Sequence, residues 1–157
     1  IVPPTNTVNE AEWRLAMPDG ITFHVHRMPL HLDHASPEGR ARLDADLAAA
    51  FTMLTPARPD AVAYACTAGS MTTPVTALPE RLTAAHGVPA VTTAAAVVAA
   101  LAALGARRVS VATPYSDAMN AAEADFLRAH GVEAISVAGL GIGAGGPHEF
   151  VRIAETP

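Results

Sequence analysis

Cysteine is nearly absent from this chain: Cys66 is the only one, which excludes an internal disulfide and leaves a free thiol of the kind a reducing cytosol preserves. Aromatic residues are also scarce, at 4%. The apolar half of the composition therefore rests on Ala, Val and Leu, which suits helices layered on a buried sheet. Basic residues number ten against fifteen acidic, a net charge of −5, and no Lys/Arg cluster exceeds Arg107-Arg108. The phosphate-neutralising surface that nucleic acid requires is missing. The longest apolar run, Ala94 to Leu104, has 11 residues, where a bilayer-crossing helix needs about 20. No basic-then-apolar leader opens the chain, so the expectation is a cytoplasmic protein with neither nucleic acid nor membrane as partner.

The 157 residues suit a single respectable core, and two complete domains would be cramped. The chain opens at Ile1-Val2 with no initiator Met, as a clipped first strand would, and this gives the expectation of a fragment. No internal repeat of solenoid period is present.

Strand and helix signals alternate along the chain. Ile21 to Met28 mixes β-branched and aromatic residues as a strand does. Pro37 to Leu54 then spaces Leu43, Leu47, Phe51 and Leu54 as one helical face. That helix has Ser36 as N-cap, Pro37 at its first position and Glu38 in its first turn. A short strand ends at Ala65, a helix follows over Pro74 to His86, and Pro89 to Val91 is again strand. Thr93 caps an alanine-rich helix that stops at Gly105. Arg108 to Thr113, Asp117 to His130 and Val132 to Ala138 read as strand, helix and strand. The pattern predicts an α/β fold with a doubly wound parallel sheet and a final helix near His148.

Chemistry concentrates in the loops after predicted strands, where open parallel sheets bind ligands. Cys66-Thr67-Ala68-Gly69-Ser70 follows Ala61 to Ala65. Its small residues leave backbone N–H groups uncovered to cradle an anion and favour thiolate, so Cys66 reads as a nucleophile or proton shuttle; the alternative is a small buried apolar residue. Asn6 lies in the loop after the first strand, at the same sheet edge. It either holds a carboxylate beside Cys66 or forms an Asx-turn that caps the helix near Glu10. Tyr115, after Thr113-Pro114, is either an acid and hydrogen-bond donor in the same crevice or a surface turn residue.

Three further patterns carry less. Gly141-Ile142-Gly143-Ala144-Gly145-Gly146 matches the dinucleotide pattern GxGxxG, but the acidic residue expected about 20 positions on lies beyond the chain. His24 and His26 share a strand face, and His31 with His34 brackets Asp33, without completing a metal-ligand spacing. Ser70 lacks the first glycine of GxSxG and is a weaker nucleophile than Cys66.

Three segments taken together, Ile1 to Thr7, Cys66 to Ser70 and Ala112 to Asp117, resemble the maleate isomerase and arylmalonate decarboxylase branch of the aspartate/glutamate racemase superfamily. The similarity extends through Gly87-Val88-Pro89, Ala103 to Val109 and Leu140-Gly141-Ile142. The resemblance implies a cofactor-independent, Rossmann-like parallel-sheet fold of two pseudo-symmetric α/β lobes with the site between them. Residues 1–115 would form the first lobe and 116–157 the start of the second. Cys66 matches the first lobe's catalytic cysteine, Asn6 the asparagine holding a substrate carboxylate, Thr67 and Ala68 anion-binding loop positions, and Tyr115 a tyrosine lining the pocket. Pro3 would line the cleft. Decarboxylases of this group usually carry glycine where Cys66 stands, so the thiol points to isomerisation or racemisation. Ala68 departs from the serine common in the motif. A second cysteine is absent, and the chain ends about where the segment carrying it should begin.

The reading that results is a cofactor-independent isomerase of a small dicarboxylate, of maleate-to-fumarate type, acting by covalent addition of Cys66. An amino-acid or hydantoin racemase, an arylmalonate-type decarboxylase, an ectoine-utilisation protein and a non-catalytic carboxylate-binding domain stand as alternatives. The partner expected is a small carboxylate, and a homo-oligomer is compatible with it.

Overall fold

The structure is a computed structural model that describes residues 1–31, 33, 36–143, 145–146 and 148–151. His34 and Ala144, singled out in the sequence, lie outside the described residues.

Helix α1 (Asn9–Ala16) and helix α2 (Pro37–Leu54) precede strand β1 (Val62–Tyr64) and the single turn α3 (Thr67–Ser70). Helix α4 (Ala77–His86), strand β2 (Ala90–Thr92), helix α5 (Thr93–Ala103), strand β3 (Arg108–Thr113), helix α6 (Asp117–Ala129) and strand β4 (Glu133–Gly139) complete the order. Helix α2 begins as its sequence dictates: Ser36 Oγ accepts from Gly39 N–H at 3.0 Å, with Pro37 in the first turn. Gly87 ends α4 in the left-handed conformation (φ 68°), which a side chain would disfavour. The N-cap of α5 falls one residue earlier than expected, because Thr92 Oγ1 accepts from Ala95 N–H at 3.3 Å.

Among the described residues all strand pairings are parallel, and the strands form two ladders where the alternation predicted one doubly wound sheet. β1 pairs with β2, and β3 with β4. Backbone bonds extend the first ladder. Ile1 N donates to Ala63 O at 2.7 Å and Ala65 N to Ile1 O at 2.8 Å, the alternation of a parallel pair. Val2 in turn bridges Arg27. The resulting order is residues 26–28, residues 1–2, β1, β2. The expected strand over Ile21 to Met28 is thus reduced to its end, since only Arg27 finds a bridging partner among the described residues.

Each ladder has its own core. Leu43, Leu47, Ala50 and Phe51 of α2 pack with Leu78 and Leu82 of α4 against Val62 and Tyr64. Ala94, Phe126, Leu127 and Val132 form the second cluster, with Val109 and Val111 of β3 against it. Three strand ends, at Val2, Tyr64 and Thr113, release the loops that hold Asn6, Cys66 and Tyr115. Among the described residues no helix is long and apolar enough to cross a membrane.

Candidate active site

Cys66 continues the line of β1 in extended conformation (φ −138°, ψ 111°) and stands at the N-cap of α3. The turn is anchored from below. Ser70 is fully buried; its Oγ donates to Thr67 O at 3.0 Å and accepts from Ala94 N–H at 3.1 Å, locking α3 to the start of α5. That occupation makes Ser70 a structural residue. Arg40 Nη1 donates to Gly69 O at 3.3 Å. A Cβ on Gly69 would land on the Tyr64 hydroxyl and come within 3.2 Å of Cys66 Sγ, so only glycine fits here.

The loop between Val2 and α1 is tied by two groups. Asn6 Oδ1 accepts from Val8 N–H (3.2 Å) and Asn9 N–H (3.0 Å), so the Asx-turn reading holds and the side-chain oxygen is committed to the helix start. Arg27, which the sequence did not single out, donates to Pro3 O and Pro4 O at 3.3 Å and to Asn6 O at 2.8 Å, and pairs with Glu10. In the loop after β3, Tyr115 N–H donates to Thr113 Oγ1 at 3.0 Å, and that hydroxyl donates to buried Asn120 Oδ1 at 2.5 Å. Asn120 is another residue the sequence reading missed.

These loops surround one cavity of about 130 Å³. Pockets for drug-sized ligands run to roughly 300–1,000 Å³, so this one suits a molecule of few atoms. Pro3, Asn6, Cys66, Thr67, Ala68 and Tyr115 all line it. Its wall contains no Asp, Glu, Lys or Arg among the described residues. His31 is the titratable side chain besides Cys66 and Tyr115, and its Nε2 lies 2.8 Å from Asp46 Oδ2. Phe150 covers Tyr115 edge-on, with ring centroids 6.1 Å apart and planes at 74°.

The electrostatics of Cys66 differ from the sequence expectation. Burial pushes the thiol above its ordinary value, opposed by hydrogen bonds from Gly69 N–H and the Tyr64 side chain. The surroundings hold the neutral thiol, and the thiolate has to be generated against burial. Tyr115 is raised too, chiefly by burial, while a hydrogen bond with Thr67 opposes the shift.

The glycine-rich segment does not build a nucleotide site. Gly143 N–H and Gly145 N–H donate to Glu149 Oε2 at 2.8 and 3.1 Å, so its backbone donors serve an internal carboxylate. Residues 148–151 form one 3₁₀ turn in place of the expected helix. Among the described residues no group of three or more His, Cys, Asp or Glu is placed to hold a metal ion.

Cys66 thus stands at a strand end on the wall of a small cavity, and the family model for arylmalonate decarboxylase matches residues 1–146. The chain belongs to the arylmalonate decarboxylase family. Within the aspartate/glutamate racemase superfamily it is similar to the maleate isomerase of Pseudomonas putida, at 31% identity over 90% of this chain and 62% of that one, with a TM-score of 0.73. A cysteine-to-serine variant of Nocardia farcinica maleate cis-trans isomerase, carrying a covalently bound succinylcysteine intermediate, aligns over 99% of this chain and 66% of its own at 26% identity and TM-score 0.75. An arylmalonate decarboxylase aligns over 78% of this chain and 53% of its own, at 27% identity and TM-score 0.68. The chain thus spans less than two thirds of the length of the solved family structures it matches here. Among curated proteins none matches the chain in sequence.

Proposed function

We propose that the protein is a cofactor-independent cis–trans isomerase of a small dicarboxylate of maleate type, with Cys66 as the nucleophile. The observation that carries this reading is the position of Cys66. It lines a small cavity whose other walls offer neutral hydrogen-bond donors from two further strand-end loops. With a net charge of −5, the protein's overall field repels a dianion, so binding rests on these local donors.

In this reading the Cys66 thiol gives up its proton and the thiolate adds to the carbon–carbon double bond. A C–S bond forms at one carbon, the π electron pair passes to the other, and that carbon takes the proton. Rotation about the resulting single bond is free. The reverse elimination breaks the C–S bond and returns the proton to sulfur, giving the trans diacid. The backbone N–H groups of the Thr67-Ala68 turn and the Asn6 amide hold the carboxylates, Pro3 shapes the wall, and Tyr115 donates to the carboxylate that gains charge. The division into a first lobe over residues 1–115 and the start of a second over 116–157, and a cytoplasmic setting, belong to the same proposal.

Racemisation or decarboxylation is the second reading, favoured by the family-model match. In it thiols or other acids on opposite faces move a proton at a carbon next to a carboxylate. Proton NMR in D₂O with maleate, an amino-acid enantiomer and an aryl malonate distinguishes them. Fumarate formation supports the isomerase, whereas deuterium exchange or loss of a carboxylate without fumarate replaces it by the second reading.

A further inference from the structure

We propose that Tyr64 is a positioning residue for Cys66, its buried hydroxyl donating a hydrogen bond to the sulfur from behind the cavity. The inference rests on the reading of Cys66 as the nucleophile. Residues two apart on extended backbone present side chains to the same face, which places Tyr64 and Cys66 side by side. Tyr64 is 3% exposed and does not line the cavity, so it touches no substrate.

A buried phenol without a partner is costly, and this one meets the Cys66 sulfur over the bare face of Gly69. The absent Cβ at Gly69 is what allows the approach, since a methyl there would displace the hydroxyl. Two donors, Gly69 N–H and Tyr64 O–H, thus converge on the sulfur from the protein side. Arg40, held on Gly69 O, adds positive charge to the same turn. Hydrogen bonds to a charged form favour it. The arrangement therefore offsets the burial of the thiolate and fixes its direction toward the cavity.

The test is the pH dependence of Cys66 alkylation by iodoacetamide, which reads the thiolate without requiring turnover. Tyr64→Phe removes one oxygen and keeps the ring. Its profile is expected to move to higher pH, with alkylation near neutral pH slowed about tenfold, the equivalent of one pKa unit. If maleate is turned over, kcat falls in this variant while KM holds. Because Tyr64 is in the core, a second measurement guards against a folding defect. The chain has two tyrosines, so 3-fluorotyrosine incorporated into Tyr115→Phe protein labels Tyr64 alone and makes it a stronger donor. That profile is expected to move to lower pH than the unfluorinated parent. Superimposable profiles in either pair overturn the proposal. A shift in alkylation with no fumarate from the unsubstituted protein removes the isomerase reading and leaves the role of Tyr64 standing.

Discussion

Thr67 and Tyr115 meet on the wall of the cavity, where the Thr67 hydroxyl opposes the rise that burial gives the phenol. The pair brings the turn after β1 beside the loop after β3. Thr67→Val keeps the volume and removes the hydroxyl, which leaves Tyr115 held by its own backbone bonds and the Phe150 ring. A typical intramolecular hydrogen bond contributes about 1 kcal/mol. The expected outcome is a loss of roughly fivefold in kcat/KM for maleate, checked by initial rates. Tyr115→Phe removes the donor itself and is expected to cost about a hundredfold, the scale of losing an oxyanion donor.

Cys66→Ser leaves the cavity wall nearly unchanged and replaces a soft nucleophile by a weak one. Turnover of maleate is expected to fall below detection while binding persists, since Thr67, Ala68 and Asn6, proposed above to hold the carboxylates, stay in place on the cavity wall. Calorimetric titration with maleate checks the binding and proton NMR the turnover. Retained turnover in this variant removes Cys66 from the chemistry.

Burial raises the Cys66 thiol above its ordinary value of 9.0, and two consequences of known sign follow. The thiolate fraction grows as pH rises, so kcat/KM is expected to climb through the alkaline range. Stability runs the other way. Below the ordinary thiol value both folded and unfolded chains are protonated, and the contribution of burying the neutral thiol is fully present. Above it the unfolded chain loses the proton first and stability falls until the folded value is passed. Glu123, also raised by burial, from 4.5, has its corresponding loss in the acid range. The tyrosines lose theirs above 10.0. The buried Ile1 amine, lowered from 8.0 to about 6, raises stability as pH climbs to about 8, so urea denaturation between about pH 9 and about pH 10 reads Cys66, and Cys66→Ala is expected to flatten the slope there.

Much of this was legible in the sequence because the signals were local. Pro37 to Leu54 became α2 with its boundaries unchanged, since Ser36, Pro37 and a clean apolar stripe specify a helix without tertiary help. Arg108 to Thr113 likewise became β3 as read. The loop residues Pro3, Asn6, Cys66, Thr67, Ala68 and Tyr115 fell around one cavity because parallel strands release their loops at a common edge. What escaped was long-range. Which strands pair is decided by contacts far apart in sequence, so the division into two ladders gave no local signal. Tyr64, Arg40 and Arg27 carried no functional signal in the sequence. Their partners Cys66, Gly69 and the Pro3–Asn6 carbonyls lie in other elements or hinge on a single missing Cβ. The thiol's ionisation was misjudged for the same reason, since burial depends on what the whole fold packs around Cys66.

The first core predicts how the two kinds of sequence signal in α2 divide the work of stability. Leu47 is fully buried between β1 and α4, in the cluster with Phe51 and Leu78. Leu47→Ala removes apolar area and leaves a cavity that rigid neighbours fill only in part, a loss of about 2–5 kcal/mol. Ser36→Ala removes the one side-chain acceptor that caps the Gly39 N–H, a loss of about 1 kcal/mol. Ser36 and Leu47 lie eleven residues apart on one helix, about 16 Å at 1.5 Å per residue, and share no partner, so the two costs are expected to add. Urea midpoints of the two single variants and the double variant check both the ranking and the sum. A Ser36→Ala cost equal to that of Leu47→Ala would mean that the helix start, and not its buried face, holds α2 against the sheet.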